Sequence, residues 1–328
     1  SELPHSVLFL LGYDASPDWH FFLFRTAYLA LADTRPDRQE KNQITNLINR
    51  QIMEKQEQHI RRFQVSHTVI HLMIITSFLI LALTGMTLKF PDNQFFALIS
   101  KGLGGPIVTG YIHRFGAILT FIYAGIHLVQ LGLLFKRKKM TVMGLFSEEY
   151  TLVPLPRDAI ELKNNLLYFI GKGPKPEFGR WTYWEKFDYM AVFWGITVIG
   201  ASGLVLWFPE VATWVLPGWA INVATIIHSD EALLAAGFIF TIHFFNTHLR
   251  PDTFPMDTAI FTQRVPLSKF KEERPREYEE MVNKGELENH LVPALSSTLM
   301  KTVKTFGLTF LTIGLIIVIG IIYSLVFI

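Results

Sequence analysis

From Val65 onward the chain alternates long apolar runs with strongly polar loops, and that alternation predicts the elements. Five runs stand out: Val65–Phe90, Ile107–Phe135, Trp184–Phe208, Trp219–Leu249 and Phe306–Ile328. Each supplies roughly the twenty apolar residues an α-helix needs to cross a hydrocarbon core. The preceding stretch is mixed. Phe21–Ala32 is apolar but short and broken by Arg25, which suits an interfacial or packed helix rather than a span. Asp33–Arg62, rich in Gln, Glu, Asn and Arg, reads as a solvated helix leading to the membrane. Asp158–Ile170 has the pattern of a short amphipathic helix stopped by Gly171, its apolar side (Ile160, Leu166, Leu167, Ile170) turned to the membrane or a partner. Arg274–Lys284 reads as helical and solvated.

Charge then orients the runs. Arg50, Lys55, Arg61 and Arg62 precede the first, and Lys136, Arg137, Lys138 and Lys139 end the second. Arg250, Arg264, Lys269, Lys271, Arg274, Lys301 and Lys304 lie between the fourth and fifth. The connections Pro91–Pro106 and Pro209–Gly218 contain only Lys101, with Lys89 at the edge. By the positive-inside rule the N-terminus is cytoplasmic and the C-terminus outside. The expected organisation is an N-terminal cytoplasmic or interfacial segment (1–64), a four-helix domain (65–250), a cytoplasmic loop (251–305) and a C-terminal transmembrane helix (306–328).

Two hairpins of one plan are visible inside the four-helix domain. LTGMTLKFPD closes the first run and ASGLVLWFPE the third, and aligning Gly85 with Gly203 superposes Phe90-Pro91-Asp92 on Phe208-Pro209-Glu210. The helix after each motif opens with a histidine (His113, His228) and closes with another (His127, His243). His228 and His243 are fifteen residues apart, a rise of about 22 Å in an α-helix. The first run adds His71 at the inner level, where the third has Tyr189. Ionisable side chains at membrane depth usually face a bundle interior and serve a function. Paired imidazoles at two depths are what six-coordinate haem requires, so the four-helix bundle is expected to be haem-binding. Gly116, Gly125, Gly195, Gly200 and Gly237 are expected to let a flat ring approach the helices. His67 and His71 are spaced i, i+4 as in zinc sites, but no third ligand accompanies them, and His67 is placed at the interface. His5, His20, His59 and His290 lie outside the spans without an evident partner.

Composition narrows the chemistry. Half of the 328 residues are hydrophobic, 14% are aromatic and mean hydropathy is +0.30, too apolar for an ordinary soluble domain. A net charge of +2 gives no basis for nucleic-acid binding. The absence of cysteine excludes disulfides, iron–sulfur clusters and thioether-attached haem within this chain. Any haem must be b-type. Ser1 stands where an initiator methionine is expected and no signal-peptide pattern follows, which reads as a processed or trimmed start.

Between about Arg61 and Asp257 the chain resembles the di-haem cytochrome b subunits of respiratory formate dehydrogenases and nickel–iron hydrogenases. The matching residues are Arg62-Phe63, His71, Phe78, Leu83-Thr84-Gly85, Ile112-His113-Arg114, Glu185-Lys186-Phe187-Asp188-Tyr189, His228-Ser229-Asp230-Glu231-Ala232 and His243. The resemblance implies two b-type haems and electron exchange with a membrane quinone. By position it assigns His113 and His228 to the outer haem and His71 and His243 to the inner one. The repeat instead offers His127 as partner of His243, and His127 also suits a quinone site or a third haem. Candidate quinone-site residues are Asn246, His248 and Arg250 on the inner side and Asp230 and Glu231 on the outer. Arg250 equally suits a haem propionate or a lipid phosphate, and the two carboxylates equally suit a structural hydrogen bond. The expected protein is the quinone-reactive cytochrome subunit of a multi-subunit oxidoreductase in a bacterial-type inner membrane. Its redox partner would be a multihaem c-type cytochrome or an iron–sulfur protein. A haem-containing structural anchor without a quinone site is the alternative, and a transporter with polar histidines is a third class.

Overall fold

A computed structural model describes residues 58–138, 141–146, 151–251 and 253–327; the predicted segment Phe21–Ala32, residues 33–57, His5 and His20 lie outside the described residues. The described part is all-α apart from three very short strands, and five helices are long and apolar enough to cross a membrane. In chain order they are α1 (Val65–Lys89), α3 (Pro106–Lys138), α5 (Tyr183–Trp207), a span from Trp219 to Leu249 that begins as α7 (Trp219–Phe238), and α12 (Ser297–Phe327). The sequence boundaries hold to within a few residues, except that α12 starts nine residues before Phe306. Both short connections contain helix: α2 (Gln94–Gly102), whose Asn93 side chain accepts from the backbone of Phe95 and Phe96, and α6 (Pro209–Ala212).

α1 packs closely on α3 and α5 on α7, whereas the two hairpins meet more sparsely. Across that boundary Gly200 faces Phe121. The core lies on the other side of the bundle, where α12 closes against α1 and the end of the fourth span. Phe96, Met86, Ala236, Phe240, Ile317 and Ile321 are buried there. α12 fits because its contact face is small: a Cβ on Gly314 would stand 2.6 Å from Phe244, and one on Gly320 2.5 Å from Phe95.

The fourth span does not stay α-helical. Beyond Phe238 it winds as two π turns, Ile239–His243 and Phe245–Leu249. Such turns widen the helix and recur at functional sites; here the first carries His243. The 22 Å rise expected from fifteen α-helical residues therefore does not apply to its last third.

The polar segments at one end of the bundle fold into a cap. β1 (His59–Arg61) pairs antiparallel with both β2 (Arg264–Pro266) and β3 (Leu291–Val292). Residues 59–61 are thus strand rather than solvated helix, and they join the segment after the fourth span. α8 (Ala259–Thr262), α9 (Leu267–Glu273), α10 (Pro275–Asn283) and α11 (Leu287–His290) complete the cap around Ile60, Val265, Phe270 and Met281. The expectation that Arg274–Lys284 is a wet charged face is corrected: Arg274 and Glu277 are buried. Arg274 binds Glu185 at 3.0 Å, Arg62 binds Glu185 at 3.1 Å and Glu277 at 3.4 Å, and Arg180 binds Glu277 at 2.9 Å. Glu185 also forms the capping box of α5 with Thr182. α4 (Pro156–Phe169) docks on the first turn of α5 through a Lys186–Asp158 pair at 2.9 Å, both groups buried. Its apolar side, including Ile160, Leu166, Phe169 and Ile170, stays exposed. That is the face the sequence assigns to a membrane or partner.

Candidate functional site

At the end of the bundle away from the cap, the repeat becomes a three-dimensional pair. His113 on α3 and His228 on α7 face each other with ring centroids 6.1 Å apart and ring planes at 79°. Each ring is held from the helix before it in its own hairpin. Thr84 Oγ1 donates to the Ile80 carbonyl at 2.6 Å, so its lone pair receives the Nδ1–H of His113 at 2.9 Å. His228 Nδ1 lies 3.0 Å from the Ile199 carbonyl and 3.5 Å from Ser202 Oγ, which itself donates to backbone carbonyls. These acceptors require a proton on both Nδ1 atoms, leaving both Nε2 atoms as lone-pair bases. Anchoring the second ring nitrogen is how proteins orient histidine ligands.

The glycines used to align the repeat have a direct role. A Cβ on Gly85 would stand 3.3 Å from His113 Cε1, and one on Gly203 3.0 Å from His228 Cε1. Thr84-Gly85 and Ser202-Gly203 are therefore equivalent cradles, each a hydroxyl beside a bare backbone. Of the glycines expected to face a flat ring, Gly116 instead packs against Ile80 and Leu81, and Gly125 and Gly237 have no neighbour near a built Cβ.

At the cap end, His243 Nδ1 is 2.9 Å from Asp188 Oδ2, which again directs a lone pair to Nε2. His71 on α1 stands edge-on to Phe261 at 5.6 Å, its Nδ1 buried without a hydrogen bond, with His243 and His248 as its ionisable neighbours. His127 differs. Its Nε2, the atom the other rings leave open, is hydrogen-bonded to Tyr189 Oη at 2.8 Å. His67 is a first-turn residue whose Nδ1 accepts the Gln64 N–H at 3.3 Å. Among the described residues no group of three or more His, Asp or Glu is arranged to hold a metal ion.

The remaining candidates separate. His248 lies edge-on to Phe244 at 5.4 Å with Nδ1 buried and without a hydrogen bond, and Asn246 shares its π turn. Arg250 sits 5.2 Å above the Trp184 ring and 3.9 Å from Glu273. Asp230 is an exposed partner of Lys89 at 3.3 Å, and Lys89 also contacts Ser229. Glu231 is half-buried. Thr84, Ser202 and Asp188 had no role assigned from sequence. Their signal was present in the aligned repeat and in the acidic residue beside Tyr189. Neither a protein-family model nor a curated protein matches this chain.

Proposed function

We propose that this chain is a membrane-embedded, di-haem b-type cytochrome that passes electrons between a redox partner and the quinone pool. The observation that carries the reading is the His113–His228 pair. Two metal–imidazole bonds of about 2 Å each, plus the ring radii, would put two imidazoles that share one metal about 6 Å apart, and the His113 and His228 rings stand at 6.1 Å. The fixed tautomers and the two glycine cradles fit the same group. Bound there, haem iron supplies a one-electron carrier. The protein's part is to hold two neutral imidazoles in register and to keep water from them with the apolar walls of the hairpins.

For the second haem we propose His71 and His243. Asp188 orients His243 as Thr84 orients His113, and the Tyr189 bond occupies the coordinating nitrogen of His127. The two levels are about 20 Å apart along α1, from His71 to Thr84. With the basic loops inside, the cap lies on the cytoplasmic face of a bacterial-type inner membrane, and a multihaem c-type cytochrome or iron–sulfur protein exchanges electrons at the outer haem. This is the function of the di-haem cytochrome b subunits that the chain resembles.

The test uses the purified full chain in lipid nanodiscs. Addition of duroquinol should produce the sharp absorption bands of reduced b haem within seconds. Haem that dithionite reduces but duroquinol does not would favour the structural anchor. A chain without haem would leave the transporter class.

A further inference from the structure

The pseudo-twofold relation between the hairpins has a second consequence at the cap end. Aligning Gly85 with Gly203 places His71 on Tyr189, and the helices that follow place His127 on His243. The relation therefore turns His71–His243, the proposed inner ligand pair, into Tyr189–His127. Asp188, which orients His243, is the residue next to Tyr189. One copy of the site thus presents two imidazoles, and the other an imidazole hydrogen-bonded to a phenol at 2.8 Å with rings edge-on at 5.7 Å.

A phenol in place of one ligand leaves a pair suited to proton transfer rather than coordination. If Tyr189 donates to His127 Nε2, then Nδ1 of His127 carries the proton and is a donor. If Nε2–H donates to Tyr189 Oη, then Nδ1 is an acceptor. With Nε2–H held on Tyr189, a proton gained at Nδ1 gives an imidazolium and turns that nitrogen from the acceptor that a quinol hydroxyl needs into the donor that a quinone carbonyl needs, and loss of that proton restores the acceptor. The pair is only half-buried, and it sits on α3 and α5, the two spans whose apolar windows are just 6% buried. Ile126 beside His127, and Met190 and Phe193 following Tyr189 on its helix, are exposed. A lipid-dissolved ring can reach the pair from the side. Polar groups at membrane depth are costly, and a hydrogen-bonded couple open to the apolar phase needs a use.

We infer that His127 and Tyr189 form the headgroup site for a para-quinone or quinol, with His127 the residue that exchanges the proton and Tyr189 its relay. The inference rests on the di-haem reading above. In the oxidising direction a quinol gives up two electrons, one to each of two ferric haem irons, and two protons. The first hydroxyl proton passes to His127 Nδ1 as Nε2–H hydrogen-bonds Tyr189, and the second follows once the first has left for the cap side. Reduction of a quinone runs the same transfers in reverse.

The experiment is stopped-flow reduction of the nanodisc-embedded chain by duroquinol, with dithionite-reducible haem counted on the same samples. Tyr189→Phe and His127→Gln should keep two haems per chain and slow duroquinol reduction by about a hundredfold, the scale of a lost proton-transfer group. Unchanged rates in both variants with both haems present would overturn the inference and leave the di-haem reading intact. Loss of one haem in His127→Gln alone would overturn it too, by making His127 a ligand. A wild-type chain without haem would remove the reading on which it rests.

Discussion

At the scale of single residues, the far-end pair depends on what surrounds each imidazole as much as on the imidazole itself. Gly203 is the tighter of the two cradles: an added methyl meets His228 Cε1 at 3.0 Å and Nδ1 at 3.2 Å, whereas on Gly85 it meets His113 at 3.3 Å. Gly203→Ala should therefore cost more outer-haem occupancy than Gly85→Ala, read as haem per chain, and the reverse order would contradict this assignment of the cradles. Thr84→Val removes the acceptor that fixes the His113 tautomer, so haem affinity at that site should fall about 10- to 100-fold in a haem-titration assay. The histidines could be picked out from the sequence because charge-bearing residues in apolar runs are conspicuous. Thr84 and Ser202 show in the sequence only as matched positions of the repeat, since a threonine or serine in a span usually bonds its own helix. Their second bond is to a ring more than twenty residues away. Tyr189 stood out only as a gap in the repeat, and its hydrogen bond to His127 needed the helices side by side.

At the scale of elements, the long apolar helices follow from length and hydropathy, while the cap follows from pairings that local pattern does not encode. Strand His59–Arg61 exists because two distant segments flank it. Arg274 and Glu277, at the start of α10, are buried because Arg62, Arg180 and Glu185 converge on them from other elements. The Lys186–Asp158 pair ties α4 to α5 in the same way, with the two side chains 1% and 8% exposed. Lys186→Met would strand a buried carboxylate and should destabilise the cap by about 3–5 kcal/mol, seen as a lower midpoint in detergent unfolding. A midpoint equal to wild type would show that the pair is solvated. Glu273 makes a pH prediction. Burial, the largest influence on it, raises its carboxyl above the ordinary 4.5 despite Lys269, Arg274 and Arg250 nearby. The folded state then holds that proton more tightly than the unfolded chain, so Glu273 contributes most below about pH 4.5 and its contribution is lost as pH rises through the raised value. Glu273→Gln should leave thermal stability unchanged near about pH 4 and increase it near about pH 8. A fall in stability at the higher pH would mean that its ion pairs prevail. The π turns at Ile239–Leu249 had no visible signal, because the apolar pattern there suits either winding.

At the scale of the whole molecule, the account places the cap in the cytoplasm and the His113–His228 level toward the outside. The chain has no cysteine, so single cysteines report topology without background. With an impermeant maleimide on intact cells, Phe327→Cys should label and Glu286→Cys should label only after lysis; the opposite pattern would invert the orientation. The central claim is that His113 and His228 hold one haem between them. It is tested most directly by counting pyridine haemochrome per chain in the wild type, His113→Ala and His228→Ala. The account predicts two b haems in the wild type and the same single haem lost in both variants. A chain without haem, or variants that retain both haems, would contradict it.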